Sequence, residues 1–154
     1  MVTRLAVGFA VAASAVLALT AARAADEKEK KVEVVCPVSG KAINKDHSLA
    51  YKEAKVYFCC PNCPKAFEKD PAKFATNANL QLVQTEQAVE KKCPLTGRPL
   101  NKAQTVKIKG LDVQFCCANC KGKVAGMDEK AQVEAVFAEK PFKQGFEVKK
   151  EEKK

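Results

Sequence analysis

The chain has 154 residues, 47% of them apolar, with eight cysteines, one histidine and no tryptophan, enough for one domain or two very small ones. Its formal charge of +9 comes from 27 Lys and Arg against 18 Asp and Glu, but only three of those cations are arginine, the residue suited to bidentate recognition of phosphate or bases. A single histidine argues against a histidine-rich metal cage and against a His-dependent active site present twice.

Residues 1–24 read as a secretory signal peptide. Arg4 supplies a basic start, Leu5 to Leu19 is apolar apart from Gly8 and Ser14, and Ala22-Arg23-Ala24 is the small-x-small pattern of a cleavage site. The apolar run of about 15 residues falls short of the roughly 20 that a spanning helix needs. The first cysteine, Cys36, lies too far downstream to carry a lipid at the cleavage site. Cleavage after Ala24 removes Arg4 and Arg23 and leaves 130 residues at +7, exported to the periplasm or extracellular space with no stable membrane anchor. Residues 25–34 follow as a charged linker built around Asp26 to Lys31, and residues 149–154 form a charged tail.

Between linker and tail one unit is used twice. Cys36, Cys59, Cys60 and Cys63 recur as Cys93, Cys116, Cys117 and Cys120, each pair 57 residues apart with no gap. Pro37/Pro94, Gly40/Gly97, Asn44/Asn101, Lys52/Lys109, Val56/Val113, Phe58/Phe115 and Asn62/Asn119 coincide at the same offset. The first unit spans 35–79 and the second 92–148. Residues 80–91 join them as a linker or a closing strand, because Leu80, Leu82 and Val83 look strand-like.

Each unit reads as loop, hairpin, knuckle and helix. Leu49 and Tyr51 alternate toward a turn near Lys52 to Ala54, and Val56 and Phe58 return from it; Val106, Ile108, the break at Gly110, Val113 and Phe115 repeat the pattern. A helix follows each knuckle, with Ala66 and Phe67 on the apolar face of the first. Asp70-Pro71 reads as an N-cap and first helical residue that restart a helix with Phe74 inward. Asp128 is the candidate cap of a helix whose Val133, Val136 and Phe137 share one face and which Pro141 ends, with Phe142 and Phe146 in a terminal strand.

In each unit three cysteines follow the pattern Cys-x22-Cys-x3-Cys. Folding the hairpin back brings Cys36, Cys59 and Cys63 to one point, and Cys93, Cys116 and Cys120 to another. Clustered thiolates suit a soft ion, zinc or copper(I), and a helix N-terminus favours their ionised form. A unit of this size has too little core to stand alone comfortably, so a metal or a crosslink is expected.

Three stretches carry a family resemblance: Cys36-Pro-Val-Ser-Gly-Lys41, Val56-Tyr-Phe-Cys-Cys-Pro-Asn-Cys-Pro-Lys-Ala-Phe67 and Lys69-Asp-Pro-Ala-Lys-Phe74. Together with Cys93-Pro-Leu-Thr-Gly-Arg98 and Val113-Gln-Phe-Cys-Cys-Ala-Asn-Cys120, they resemble the YHS/TRASH family of small heavy-metal-binding domains. The second copy is the weaker match, with Val124 and Met127-Asp128 where the first has Phe67 and Asp70-Pro71. The resemblance implies a small α+β fold of two tandem ββα modules, treble-clef-like or zinc-ribbon-like, with a metal-binding role. Related zinc ribbons open with Cys-x2-Cys, whereas this chain has Ser39 and Thr96 in the second place, one sulfur short of the four ligands of a structural zinc. Cys60 and Cys117 are the second-rank candidates for a fourth ligand or a transfer thiol, because adjacent side chains at a strand end normally point apart. The other options are three-coordinate copper(I), an external ligand or no metal. His47, whose counterpart is Gln104, reads as a surface residue.

The expectation is an exported metal-binding protein acting in metal carriage, buffering or sensing, with a metal ion and a metal-handling protein as partners. No catalytic function and no nucleic-acid partner are expected: the chain has no phosphate loop, no duplicated nucleophile and base, and its lysines are spread out. Two other readings stay open. An exported protein with an even number of cysteines is by default a disulfide framework, here a stapled structural or interaction module with pairs such as Cys60–Cys63 and Cys36–Cys59. Cys60-x-x-Cys63 and Cys117-x-x-Cys120 also allow a thiol-redox protein, although a 57-residue period leaves no room for a thioredoxin-like βαβ unit.

Overall fold

A computed structural model describes residues 32–149. The expected signal peptide of residues 1–24, residues 25–31 of the expected linker and residues 150–154 of the expected tail lie outside the described residues. The elements run β1 (Asn44–Tyr51), β2 (Ala54–Phe58), α1 (Asn62–Lys69), α2 (Pro71–Gln84), β3 (Ala88–Glu90), β4 (Asn101–Ile108), β5 (Leu111–Phe115), α3 (Ala118–Ala125), α4 (Glu129–Phe137), α5 (Glu139–Gly145) and β6 (Phe146–Val148). The fold is small α+β, and among the described residues the sheets are two-stranded antiparallel pairs: β1 with β2, β4 with β5, and β3 with β6.

The hairpins follow the alternation in the sequence. Leu49 faces Val56 across the first, and Val106 faces Val113 across the second. Both turns place two successive residues in the left-handed region, Lys52 (φ 49°) with Glu53 (64°) and Lys109 (49°) with Gly110 (83°). Paired left-handed residues give a turn whose twist matches that of the flanking strands. Ala54 is already in the strand. The repeat holds even at its irregularity: the register shifts between Asn44 and Ser48 and again between Asn101 and Thr105. Asn44 Oδ1 accepts the Asp46 N–H at 3.0 Å, and Asn101 Oδ1 accepts that of Ala103 at 3.0 Å.

Both capping signals act as read. Asp70 accepts the Lys73 N–H at 3.3 Å with Pro71 as the first residue of α2, and Asp128 accepts the Ala131 N–H at 2.9 Å at the start of α4. A capping side chain satisfies one N–H that the first helical turn leaves without a partner.

Three expectations are corrected. Leu80, Leu82 and Val83 are not strand-like: α2 runs on through them to Gln84, and the strand of the joining segment is β3, three residues that pair with β6. The successive positions Ala78 to Leu82 are all buried, because this end of α2 is enclosed by β2 on one side and by α4 and α5 on others. An enclosed helix loses the one-sided pattern that marks an amphipathic one. Pro141 does not end a helix. α4 stops at Phe137, and Pro141 falls in the first turn of α5, where a missing N–H costs no hydrogen bond. Phe142 is therefore helical, and Phe146 alone of that pair lies in the terminal strand.

The two halves share one apolar core. Phe67 sits edge-on to Tyr51 and Phe58 at 5.3 and 5.6 Å, while Phe146 packs on Phe137 and Phe142 at 5.5 and 5.3 Å. All of these join a single cluster with Val56, Leu82, Val113 and Val136. Polar groups fasten the seam. Asn79, fully buried, donates to the Phe137 carbonyl at 2.9 Å and accepts from Lys52 Nζ at 2.9 Å. Lys52 also pairs with Glu139 at 2.6 Å and lies 4.9 Å from the centre of the Phe142 ring. No helix among the described residues is long and apolar enough to cross a membrane.

Candidate metal centres

The leading cysteine of each unit is held in a closed loop. Gly40 N–H donates to the Cys36 carbonyl and Cys36 N–H to the Lys41 carbonyl, both at 2.8 Å. Gly97 N–H donates to the Cys93 carbonyl at 2.7 Å and Cys93 N–H to that of Arg98 at 2.9 Å. The loops close because Gly40 and Gly97 both take φ 69°, a left-handed conformation that costs any residue with a Cβ about 1–2 kcal/mol.

The other sulfurs come from the knuckle between strand and helix. Cys59 and Cys116 follow the last residues of β2 and β5, and Cys63 and Cys120 lie in the first turns of α1 and α3. The Sγ atoms of Cys36, Cys59 and Cys63 lie within 4.8 Å of one another, and those of Cys93, Cys116 and Cys120 do the same. Cys59 and Cys63 are 3.6 Å apart at sulfur, Cys116 and Cys120 3.7 Å. Sulfurs bound at about 2.3 Å to a shared tetrahedral zinc would stand about 3.8 Å apart. In each trio the strand-end and helical sulfurs already stand near that separation. All eight cysteines are free thiols, the leading and helical ones buried and the four of the knuckles half-buried.

No family model, no curated protein and no solved structure matches this chain. The chemistry of the site has to be read from its own residues.

The residues standing where a fourth cysteine was missed have a use. Ser39 Oγ lies 3.1 Å from Cys59 Sγ, and Thr96 Oγ1 lies 3.2 Å from Cys116 Sγ. The hydroxyls are hydrogen-bonding neighbours of the cluster. Cys60 and Cys117 stand outside the two trios yet touch them, Cys60 Sγ at 3.4 Å from Cys63 and Cys117 Sγ at 3.7 Å from Cys116. The chain leaves the strand at Cys59 and Cys116, so the rule that adjacent strand residues point apart does not hold there. His47 is half-buried in β1 and belongs to neither trio.

The thiols within each trio differ in acidity. Burial opposes ionisation of Cys36, but hydrogen bonds from the Ser39 side chain and from the backbone of Ser39, Cys59 and Val38 outweigh it and lower the thiol from 9.0 to about 7. Cys93 is lowered to about 7 in the same way: burial opposes, and the Thr96 side chain with the backbone of Cys116, Leu95 and Thr96 prevails. Burial pushes Cys63 up, helped by hydrogen bonds to Cys60, Cys59 and Cys36 and by the charge on Cys36. Burial with hydrogen bonds to Cys116 and Cys117 pushes Cys120 up to about 12. Cys60 is lowered chiefly by its bond to Cys63, and Cys117 chiefly by the Cys120 backbone N–H. Within each trio the loop thiol is thus shifted toward ionisation and the helical thiol away from it.

Several residues that position the clusters were not singled out in the sequence. Gln81, fully buried, accepts the Tyr57 N–H at 2.7 Å and donates to the carbonyls of Tyr57 and Val35, each at 2.9 Å. With Asn77, which donates to the Pro37 carbonyl at 3.2 Å, it ties the Cys36 loop to α2. A glutamine inside the apolar run Leu80–Val83 was a usable signal, since a buried amide needs partners. In the second half Gln144, which donates to the Pro94 carbonyl at 3.4 Å, and Gly145 do this work. The Gly145 carbonyl accepts the N–H groups of Lys91 and Lys92 at 2.8 and 3.0 Å, and a Cβ there would meet Pro94 Cα at 2.8 Å. Glu90 Oε2 accepts the Gln114 N–H at 2.9 Å, the site corresponding to Tyr57. Burial, opposed by that N–H and aided by the charge on Cys93, raises Glu90 to about 7.

Proposed function

We propose that the chain is an exported metal-binding protein with two tandem treble-clef-like or zinc-ribbon-like modules of the YHS/TRASH kind. Cys36, Cys59 and Cys63 hold one soft ion, and Cys93, Cys116 and Cys120 hold a second, for carriage, buffering or sensing outside the cytoplasm. The observation that carries this reading is the convergence of three sulfurs within 4.8 Å, once in each half. Copper(I) fits better than zinc. Three soft sulfurs suit it, whereas a structural zinc calls for a fourth ligand. The Ser39 and Thr96 hydroxyls stand 3.1 and 3.2 Å from cluster sulfurs. Toward a thiolate, which has no proton to give, they would donate and so temper the negative charge of three thiolates around a monovalent ion.

A thiol must give up its proton to bind a metal ion, so affinity rises with pH. The reading needs no catalytic step. The antiparallel two-stranded sheets of the described residues support it against a thioredoxin-like enzyme, whose Cys-x-x-Cys belongs in a parallel βαβ unit.

Native mass spectrometry of the protein, purified without reductant from the compartment it occupies and paired with thiol counting, tests the reading. Two ions per chain with the cluster thiols unoxidised is the expected result. Four disulfides and no metal would show a stapled structural module instead.

A further inference from the structure

We propose that Cys60 and Cys117 are exit thiols, through which each ion leaves its cluster by ligand exchange; this rests on the metal-binding reading above. A bound ion would be hard for another molecule to reach. Cys36 and Cys63 are 1% and 7% exposed, Cys93 and Cys120 0% and 9%. A ligand that extracts the ion must meet it at a sulfur nearer the surface, and the half-buried knuckle cysteines are the available ones. Two of them, Cys59 and Cys116, already belong to the trios. The other two are outside, yet each has its sulfur within 3.4–3.7 Å of a trio member.

Chain connectivity sets the direction of travel. Cys59, Cys60 and Cys63 lie on one five-residue knuckle, while Cys36 comes from a separate loop held by α2. An ion can therefore stay on the knuckle while it lets go of the loop. In the first half the Cys60 thiolate bonds to copper(I) as the bond from copper to Cys36 breaks. The proton lost by Cys60 ends on Cys36, copper stays monovalent, and no electron moves. The ion is then held by Cys59, Cys60 and Cys63, from which an incoming thiolate or chelator takes it by further exchanges of the same kind. Cys117 does the same in the second half, with Cys93 as the ligand released. The 57-residue repeat keeps this extra thiol in both copies, although its packing differs: Cys60 approaches Cys63, and Cys117 approaches Cys116.

The test uses the full mature chain, loaded with copper(I) under anaerobic conditions and mixed with the chromogenic chelator bathocuproine disulfonate. Wild type is compared with Cys60→Ser/Cys117→Ser, and with the Ala pair at the same positions as a second variant. The proposal expects both variants to hold two ions per chain, as the wild type does, and to release them at least tenfold more slowly. Release within twofold of wild type would overturn it. Loss of bound copper in the variants would also overturn it, by making these thiols resting ligands. Failure of the metal-binding reading shows separately, as a wild-type chain that takes up no copper at all.

Discussion

The two halves of this protein build the same sulfur cluster on different supports. In the first, the Cys36 loop leans on the long helix α2 through the side-chain amides of Asn77 and Gln81. The equivalent helix in the second half, α4, is 9 residues against 14 and carries no amide at the matching positions. Residues 57 positions on from Asn77 and Gln81 are Glu134 and Ala138. The Cys93 loop leans instead on α5, through the Gln144 side-chain amide on the Pro94 carbonyl at 3.4 Å and the backbone at Gly145. The N–H that Gln81 satisfies in the first half is met by Glu90 from β3 in the second. The spacing of cysteines, the glycine in the loop and the hydroxyl beside the sulfur are what the two halves keep. A cluster of this kind depends on those local features and tolerates different buttresses.

The largest expected effect is loss of one ion at a time. Cys63→Ser and Cys120→Ser should each leave one ion per chain, read by mass spectrometry; loss of both ions from either variant would mean that the halves do not bind independently. The next change turns the missing ligand into a present one. Ser39→Cys and Thr96→Cys place a thiol where a hydroxyl stands 3.1 or 3.2 Å from a cluster sulfur. Zinc affinity of the altered half should rise by more than the roughly 10–100-fold that a hydrogen-bonding neighbour of a ligand controls, as measured by competition with a zinc chelator.

Smaller changes separate the buttresses. Gln81→Leu strands the Tyr57 N–H and two carbonyls in the core and should cost about 2–4 kcal/mol in urea unfolding, weakening ion binding in the first half alone. Gly145→Ala drives a Cβ against Pro94 and the Lys92 carbonyl, a backbone overlap worth about 1–3 kcal/mol, and should weaken only the second.

The smallest effect concerns Glu90, whose Oε1 is buried with no partner. Its acidity in the fold is shifted from 4.5 up to about 7, so the stability that its neutral form provides is complete below the lower value and is lost as pH rises through the upper one. Glu90→Gln copies the amide that Gln81 offers Tyr57. Its Tm should match that of wild type near about pH 4 and exceed it by a few degrees near about pH 8. A constant difference across that range would remove Glu90 from the account.

Much of this was legible in the sequence where the signal was local. The caps at Asp70 and Asp128, the hairpin turns and the cysteine trios each depend on residues close in the chain or on a repeat that doubles the signal. What escaped depends on contacts between distant segments. Leu80 to Val83 looked like a strand because several faces of α2 are enclosed, and that enclosure is set by α4 and α5 more than 45 residues away. Pro141 looked like a terminator because nothing nearby shows that a new helix begins two residues before it. The role of Ser39 and Thr96 was hidden by their being read only as absent cysteines.

X-ray absorption spectroscopy of the metal-loaded chain tests the central claim most directly, since it counts the atoms bound to the ion. The account predicts copper(I) with three sulfur ligands and no nitrogen or oxygen in the wild-type protein. A fourth ligand of any kind in the resting state, sulfur or otherwise, would contradict it.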